Sequence, residues 1–176
     1  MSIGRIQDID IRLHWSFALV FAWVLVDWRD FGLSDGWRQS AVALVLVALV
    51  FGCVLLHEMG HAFMAREYGV RVHDVTLSVI GGVARMEHLP TGPRAEAAIA
   101  LAGPATNVAI AAALLPVVLL VGVTHGFANL GDYVLEAFAP SLGGLAIGLL
   151  YANILSWSSI CCLRFQWMAA ACCAPA

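Results

Sequence analysis

The hydrophobic positions of this chain fall into two kinds of pattern. Four stretches are apolar almost all round: Leu13–Trp28, Ser40–Ala65, Ala97–Val123 and Leu142–Leu163. A helix that spans a bilayer needs about 20 mostly apolar residues, and a helix without a polar face must sit in lipid or in a core. The first run is short and has Asp27 near its end. The second contains His57, Glu58 and His61, the third carries Gly103, Pro104 and Asn107, and the fourth is rich in Gly and Leu. Other segments alternate instead. In Val75–Met86, Val75, Leu77 and Val79 alternate with Thr76, Ser78 and Ile80 before Gly81-Gly82. That is a strand period followed by a turn signal, and it predicts a short hairpin dipping toward the membrane. Ile6–Arg12 alternates too and predicts a strand ahead of the first helix. The expected fold is an all-α polytopic membrane protein of about four transmembrane helices with a small membrane-associated β-hairpin. Residues 1–155 read as one membrane-embedded unit, without internal repeats or linkers.

Composition agrees. The chain has 176 residues, 61% hydrophobic and 12% charged, against about 45–50% and about 25% in soluble domains. An ordinary soluble globule and a disordered chain are excluded. The net charge of −3 leaves no basic footprint for nucleic acid. All nine positive residues are Arg, and they orient the spans. With the N-terminus in the cytoplasm, Arg5, Arg12, Arg66, Arg71, Arg85 and Arg94 lie inside, and Arg29 and Arg38 outside. This fits the positive-inside rule. It turns the His57–His61 end of the second helix toward the cytoplasmic side of what we take to be the cell membrane. The first apolar run lacks a small-x-small cleavage site and is not read as a cleavable leader.

His57-Glu58-Met59-Gly60-His61 is the candidate chemistry. Positions i and i+4 share a helix face, so two imidazoles there can hold one Zn²⁺ while the intervening carboxylate serves as general base. Buried structural histidines are the competing reading. An ionisable residue at bilayer depth costs about 2.5–3.5 kcal/mol on insertion scales, and three within a turn and a half need the compensation a bound cation gives. His14, beside Trp15, reads as an interfacial anchor, as do Trp15, Trp23, Trp28 and Trp37. His73, His88 and His125 fall in loops. Catalytic zinc takes a third protein ligand, and here the sequence is awkward. No Asp, Glu or His follows Glu136, and Asp27, Asp30, Asp132 and Glu136 all sit near predicted outer helix ends.

Four segments together resemble the site-2 protease family of intramembrane zinc metalloproteases. They are IRLHWSF (Ile11–Phe17), HEMGHAFMAREYGV (His57–Val70), IGGVARME (Ile80–Glu87) and ALAGPATNVAIA (Ala100–Ala111). The resemblance covers roughly residues 3–155, and its ordered motifs are more specific than HExxH alone. It implies that His57 and His61 are zinc ligands and Glu58 the general base. It also implies that Gly81 and Gly82 hold an unwound substrate by strand addition and that Asn107 lines the site. The implied partners are a membrane-protein substrate and the lipid bilayer. For Gly103, Pro104 and Asn107, helix packing is an equal alternative.

The family supplies its third ligand from an Asp-Gly in a later helix, where this chain reads SWSSICCLRFQWMAAACCAPA from Ser156 onward. The codons answer for the difference. Trp167-Met168-Ala169 must be written TGGATGGCN, and from the third base of the Trp codon this reads GAT GGC, Asp-Gly. The Cys161-Cys162 and Cys172-Cys173 pairs are what CTGCTG leucine runs become when shifted. Residues 156–176 therefore read as an aberrant, out-of-frame tail. The expected function is an intramembrane zinc endopeptidase. The alternative is a catalytically inactive membrane protein of the same fold that lacks the third ligand.

The orientation is testable at once. A reporter fused after Gly69 is expected to read cytoplasmic, and one within residues 123–141 external. The reverse result would undo the arginine argument.

Overall fold

The computed structural model describes residues 2–6, 9–27, 36–78, 81–87, 92–137, 139 and 141–156. Four strands form one mixed sheet: β1 (Ser2–Ile6), β2 (Ile9–Leu13), β3 (Val72–Ser78) and β4 (Gly81–Met86), in the spatial order β1-β2-β3-β4. The helices are α1 (Phe17–Asp27), α2 (Gly36–Glu67), α3 (Pro93–His125), α4 (Leu130–Glu136) and α5 (Leu142–Ser156).

The sheet corrects the expectation of an all-α fold with a lone hairpin. β1 and β2 are antiparallel, β2 runs parallel to β3, and β3 and β4 are antiparallel. The hairpin is therefore half of a four-stranded sheet. Its glycines also lie elsewhere than expected: Gly81 pairs with Ser78 and Gly82 with Leu77, so both open β4 instead of forming the turn. Of the strand expected at Ile6–Arg12, residues 9–12 belong to β2, while Ile6 ends β1 and residues 7 and 8 lie outside the described residues. β1 escaped notice because Ser2–Ile6 carries Gly4 and Arg5 and too few apolar positions to show a period.

One face of the sheet is apolar and packs on α2. Ile9 and Val75 are fully buried, in a cluster with Val70 and Val72, with Met59, Ala62 and Ala65 of α2, and with Ile99 of α3. Strict alternation would not put both Val72 and Val75 on one face. The pairing register slips between Val72 and Asp74, and this bulge turns Val72 inward. The opposite face is polar. There Thr76 Oγ1 donates to Asp74 Oδ2 at 2.9 Å, and Arg12 lies 3.9 Å from the buried Asp74.

α2 ends where its sequence says it should. Gly69 takes φ +76°, Gly69 N donates to the Arg66 carbonyl, and Val70 N reaches back to Ala65 O at 2.9 Å. This is the six-to-one closure of a Schellman cap, with the buried Val70 as its apolar contact. α3 opens on Pro93, where a missing N–H costs nothing, and closes on Gly126 in the left-handed region. α4 begins with a capping box between Asn129 and Asp132.

α2 from Ala41 to Glu67 and α3 from Pro93 to His125 are long and apolar enough to cross a membrane, and only 17% and 11% of their most apolar windows are buried. The core helix of a soluble protein would be mostly covered, whereas Leu101, Leu119, Leu120 and Val123 are exposed. α1 and α5 are apolar but shorter. Trp28, Asp30, His88 and the tail from 157 onward lie outside the described residues.

Ile9 is the keystone of the sheet–helix contact. Ile9→Ala is expected to cost about 2–5 kcal/mol, as a large-to-small change at a fully buried site. The loss is read as a lowered thermal unfolding midpoint in detergent.

Candidate metal centre

Two helices build the centre by coming unusually close. Gly60 of α2 faces α3 so tightly that a Cβ there would lie 2.5 Å from Thr106 Oγ1 and 2.9 Å from the Ala102 carbonyl oxygen. Gly103 of α3 faces the histidines, and a Cβ there would overlap His61 Nε2 and lie 2.7 Å from His57 Nε2. Glycine at both positions lets the histidine face of α2 lie against the α3 backbone.

His57 and His61 are 4% and 5% exposed. One turn apart, their rings stand edge to face with centroids 4.8 Å apart, and their Nε2 atoms are 3.2 Å apart. His61 Nδ1–H donates to the Ile99 carbonyl at 2.6 Å. This bond fixes the tautomer: a neutral His61 then keeps its Nε2 lone pair directed at the space it shares with His57. Pro104 has no N–H to give the Ala100 carbonyl, and its ring crowds the turn before it. α3 is thus most easily opened beside the carbonyl that holds His61.

This arrangement fits zinc as far as two ligands go. Two nitrogens at about 2.0–2.1 Å from a tetrahedral zinc lie about 3.3 Å apart, close to the observed 3.2 Å. Both rings are buried, and the missing Cβ of Gly103 leaves room beside them. A third ligand is another matter. Among the described residues, no group of three or more His, Cys, Asp or Glu side chains could hold a metal ion. Two of the carboxylates considered from sequence have other work: Asp132 Oδ2 accepts from the amides of Ala128 and Asn129, and Glu136 Oε1 accepts from Ser141 Oγ at 2.6 Å.

Glu58 points to the sheet. A Cβ on Gly82 would overlap Glu58 Cγ and lie 3.0 Å from Oε1, so the first residues of β4 run against the Glu58 side chain. β4 is an edge of the described sheet. Asn107, one turn along α3 from Gly103, is 2% exposed, and its Oδ1 is buried without a hydrogen-bond partner among the described residues. The structure thus gathers His57, Glu58, His61, Gly82 and the α3 face of Gly103 and Asn107 in one region. The remaining described histidines lie apart: His14 is exposed with Nδ1 2.9 Å from Ser16 Oγ, and His73 and His125 are exposed. Sequence reasoning missed Gly60 and the Ile99 carbonyl. Gly60 could have been suspected from its place inside the motif; a backbone acceptor leaves no mark in a sequence.

The sequence model of peptidase family M50 matches residues 45–164, well over half of the chain. The chain belongs to peptidase family M50. This M50 chain is 37% identical over 111 residues to a zinc metalloprotease of Methanocaldococcus jannaschii, a match covering 63% of the chain and 30% of that protein. It is 30% identical over 102 residues to stage IV sporulation protein FB of Bacillus subtilis, covering 57% of the chain and 31% of that protein. Among solved structures it resembles the site-2 protease from Methanocaldococcus jannaschii, with a TM-score of 0.61 and 29% identity, over 90% of this chain and 62% of the other. The chain thus spans about 30% of the length of the curated relatives it matches. M50 proteins are membrane proteins, in keeping with the apolar surfaces of α2 and α3.

The close approach at Gly103 yields a prediction. Gly103→Ala is expected to weaken zinc binding by at least about tenfold, the low end of what disturbing the shell around a metal costs. Chelator competition on a version of the chain that carries the Asp-Gly reading of codons 167–169 measures it. Unchanged affinity would mean that α3 does not shape the site.

Proposed function

We propose that this protein is an intramembrane zinc endopeptidase that cleaves transmembrane or membrane-proximal segments of other membrane proteins. The reading rests on one observation above all: the two histidines of an HExxH motif are buried with their Nε2 atoms 3.2 Å apart, inside a helix long and apolar enough to cross a bilayer. In this reading α1, α2, α3 and α5 supply four spans, and the site faces the cytoplasmic side of the cell membrane, in keeping with the arginine distribution.

Each residue then has a task. His57 and His61 would hold the metal, with His61 oriented through the Ile99 carbonyl. Zinc at that position would polarise the scissile carbonyl and activate water. Glu58 accepts the proton of the attacking water and delivers it to the leaving amine. A helical substrate hides its carbonyls in its own hydrogen bonds and must unwind first. The edge of β4 that no described strand covers, beginning at Gly81 and Gly82, offers main-chain donors and acceptors to the extended segment. The buried Asn107 Oδ1 supplies an acceptor that a substrate amide satisfies.

A second reading has an observation behind it. With no three-donor group among the described residues and no acid or histidine after Glu136 in the sequence, the described residues supply two ligands. As written the chain would be an inactive member of its family. Both readings meet in the tail, which we propose is out of frame.

Two versions of the protein separate them. The chain with GAT GGC restored is expected to bind zinc tightly and cleave a membrane substrate, and the unshifted chain to do neither. Equal cleavage by both would show that a ligand elsewhere completes the site. In the restored chain, Glu58→Gln is expected to keep its zinc while cleavage falls about 10²–10⁴-fold. Near-normal turnover would remove Glu58 from its role.

A further inference from the structure

The hydrogen bonds that close the sheet also fix which main-chain groups of β4 are left over. In a strand, the N–H and C=O of one residue point to the same side, and successive residues point to opposite sides. The Leu77 carbonyl accepts from His14 N at 2.8 Å, so the main chain of Leu77 is turned toward β2 and away from β4. Gly82 is the register partner of Leu77, and its own N–H and C=O therefore point out of the open edge. A second bond gives the same phase from the far end. Glu87 N donates to the Arg71 carbonyl at 3.0 Å, so Glu87 is turned inward and Gly82, five residues earlier, outward. The register slip puts its extra residue in β3, between Val72 and Asp74, and the alternation along β4 is unbroken. Gly82 and Ala84 thus offer their main chain outward, while Val83 and Arg85 spend theirs on β3.

Side chains sort by the same register. Gly82 and Ala84 oppose the buried Leu77 and Val75 and lie on the face toward α2, where Glu58 runs against Gly82. Arg85 opposes Asp74 and lies on the polar face. Asp74 is already engaged by Thr76 and Arg12, whereas Arg85 is exposed and has no ion pair among the described residues. Because Arg85 turns its main chain to β3, an antiparallel strand on the open edge meets it in a non-hydrogen-bonded pair. That is the pairing in which opposed side chains come closest. A carboxylate placed there meets an uncommitted guanidinium, and an ammonium meets a like charge. Glu87, exposed just past the end of β4, carries the opposite sign, so the attraction is local to one position.

We propose that Arg85 is a specificity-determining residue: a segment lying along β4 binds best when it carries Asp or Glu beside Arg85, three positions from the residue beside Gly82 and Glu58. This rests on the reading of β4 as the edge that takes the extended substrate; it does not depend on the metal.

The full chain in neutral detergent, without added zinc, is titrated with short fluorescein-labelled peptides of alternating Thr and Val. A single Glu, Gln or Lys is moved through every position, and binding is read by fluorescence anisotropy. At one position Glu is expected to bind about two- to fivefold more tightly than Gln, the range for an opposite-charge pair across strands, and Lys more weakly than either. Arg85→Gln is expected to level the three peptides and Arg85→Glu to invert their order. Arg94→Gln, an equal loss of charge at an exposed site in the first turn of α3, is expected to leave the order unchanged. Peptides are compared as ratios within each variant, so a partial loss of folded protein does not alter the result. Peptides with alternate amides N-methylated test the underlying reading. If they bind as well as the unmethylated ones, or if no peptide binds, strand addition to β4 fails and the preference falls with it. If only unmethylated peptides bind, yet Glu and Lys are equivalent at every position or Arg85→Gln keeps their ratio, the strand reading stands and the role of Arg85 is overturned.

Discussion

The distance between α2 and α3 governs everything else in this molecule. Gly60 and Gly103 remove the two Cβ atoms that would hold the helices apart. Only at this separation can the Ile99 carbonyl of one helix orient the His61 ring of the other. In lipid, close backbone approach by small residues is one of the few sources of helix association, because apolar side chains gain nothing by leaving an apolar solvent. The residues that bring the helices together are therefore the residues that shape the centre, and packing and chemistry cannot be varied independently.

Much of the site was legible because HExxH encodes a geometry: four residues make slightly more than one helical turn, which puts both imidazoles on one face. Glu58 lying against Gly82 was legible only in part, since the glycine pair was visible but its place in the strand was not. The sheet was harder to see. β2 and β3 are separated in sequence by the whole of α1 and α2, and nothing local says that Ile11 pairs with Val75. β1 gave no period at all, and the slip between Val72 and Asp74 breaks the alternation on which strand reading depends. The helices were easy to find and their ends less so: the runs expected at Ala97–Val123 and Ser40–Ala65 extend in the structure to Pro93–His125 and Gly36–Glu67, because turns at helix ends carry polar residues that hydropathy discounts.

The sheet divides the molecule chemically. Its apolar face, with Ile9 and Val75, continues the hydrophobic surface of α2, and its polar face, with Asp10, Arg12, Asp74 and Thr76, is held by ion pairs and hydrogen bonds. A two-faced sheet of this kind suits a boundary between an oily and a wet phase. It places an edge strand beside Glu58 without exposing the buried histidines to bulk water.

The parallel pairing of β2 with β3 also constrains the order of assembly. During synthesis β2 leaves the ribosome long before β3, and until β3 appears it has only the short β1 beside it. The intervening α1 and α2 must be made first, so the sheet can close only after the motif-bearing helix has been synthesised. Contacts so distant in sequence form late, because the chain must lose the entropy of a long loop before they offer anything in return. β4 begins three residues after the end of β3 and pairs with it as a local hairpin, so those two strands can meet β2 together. The nascent chain thus carries both histidines for a period in which Glu58 has no strand against it, and the surroundings of the two histidines are completed only when the sheet has closed.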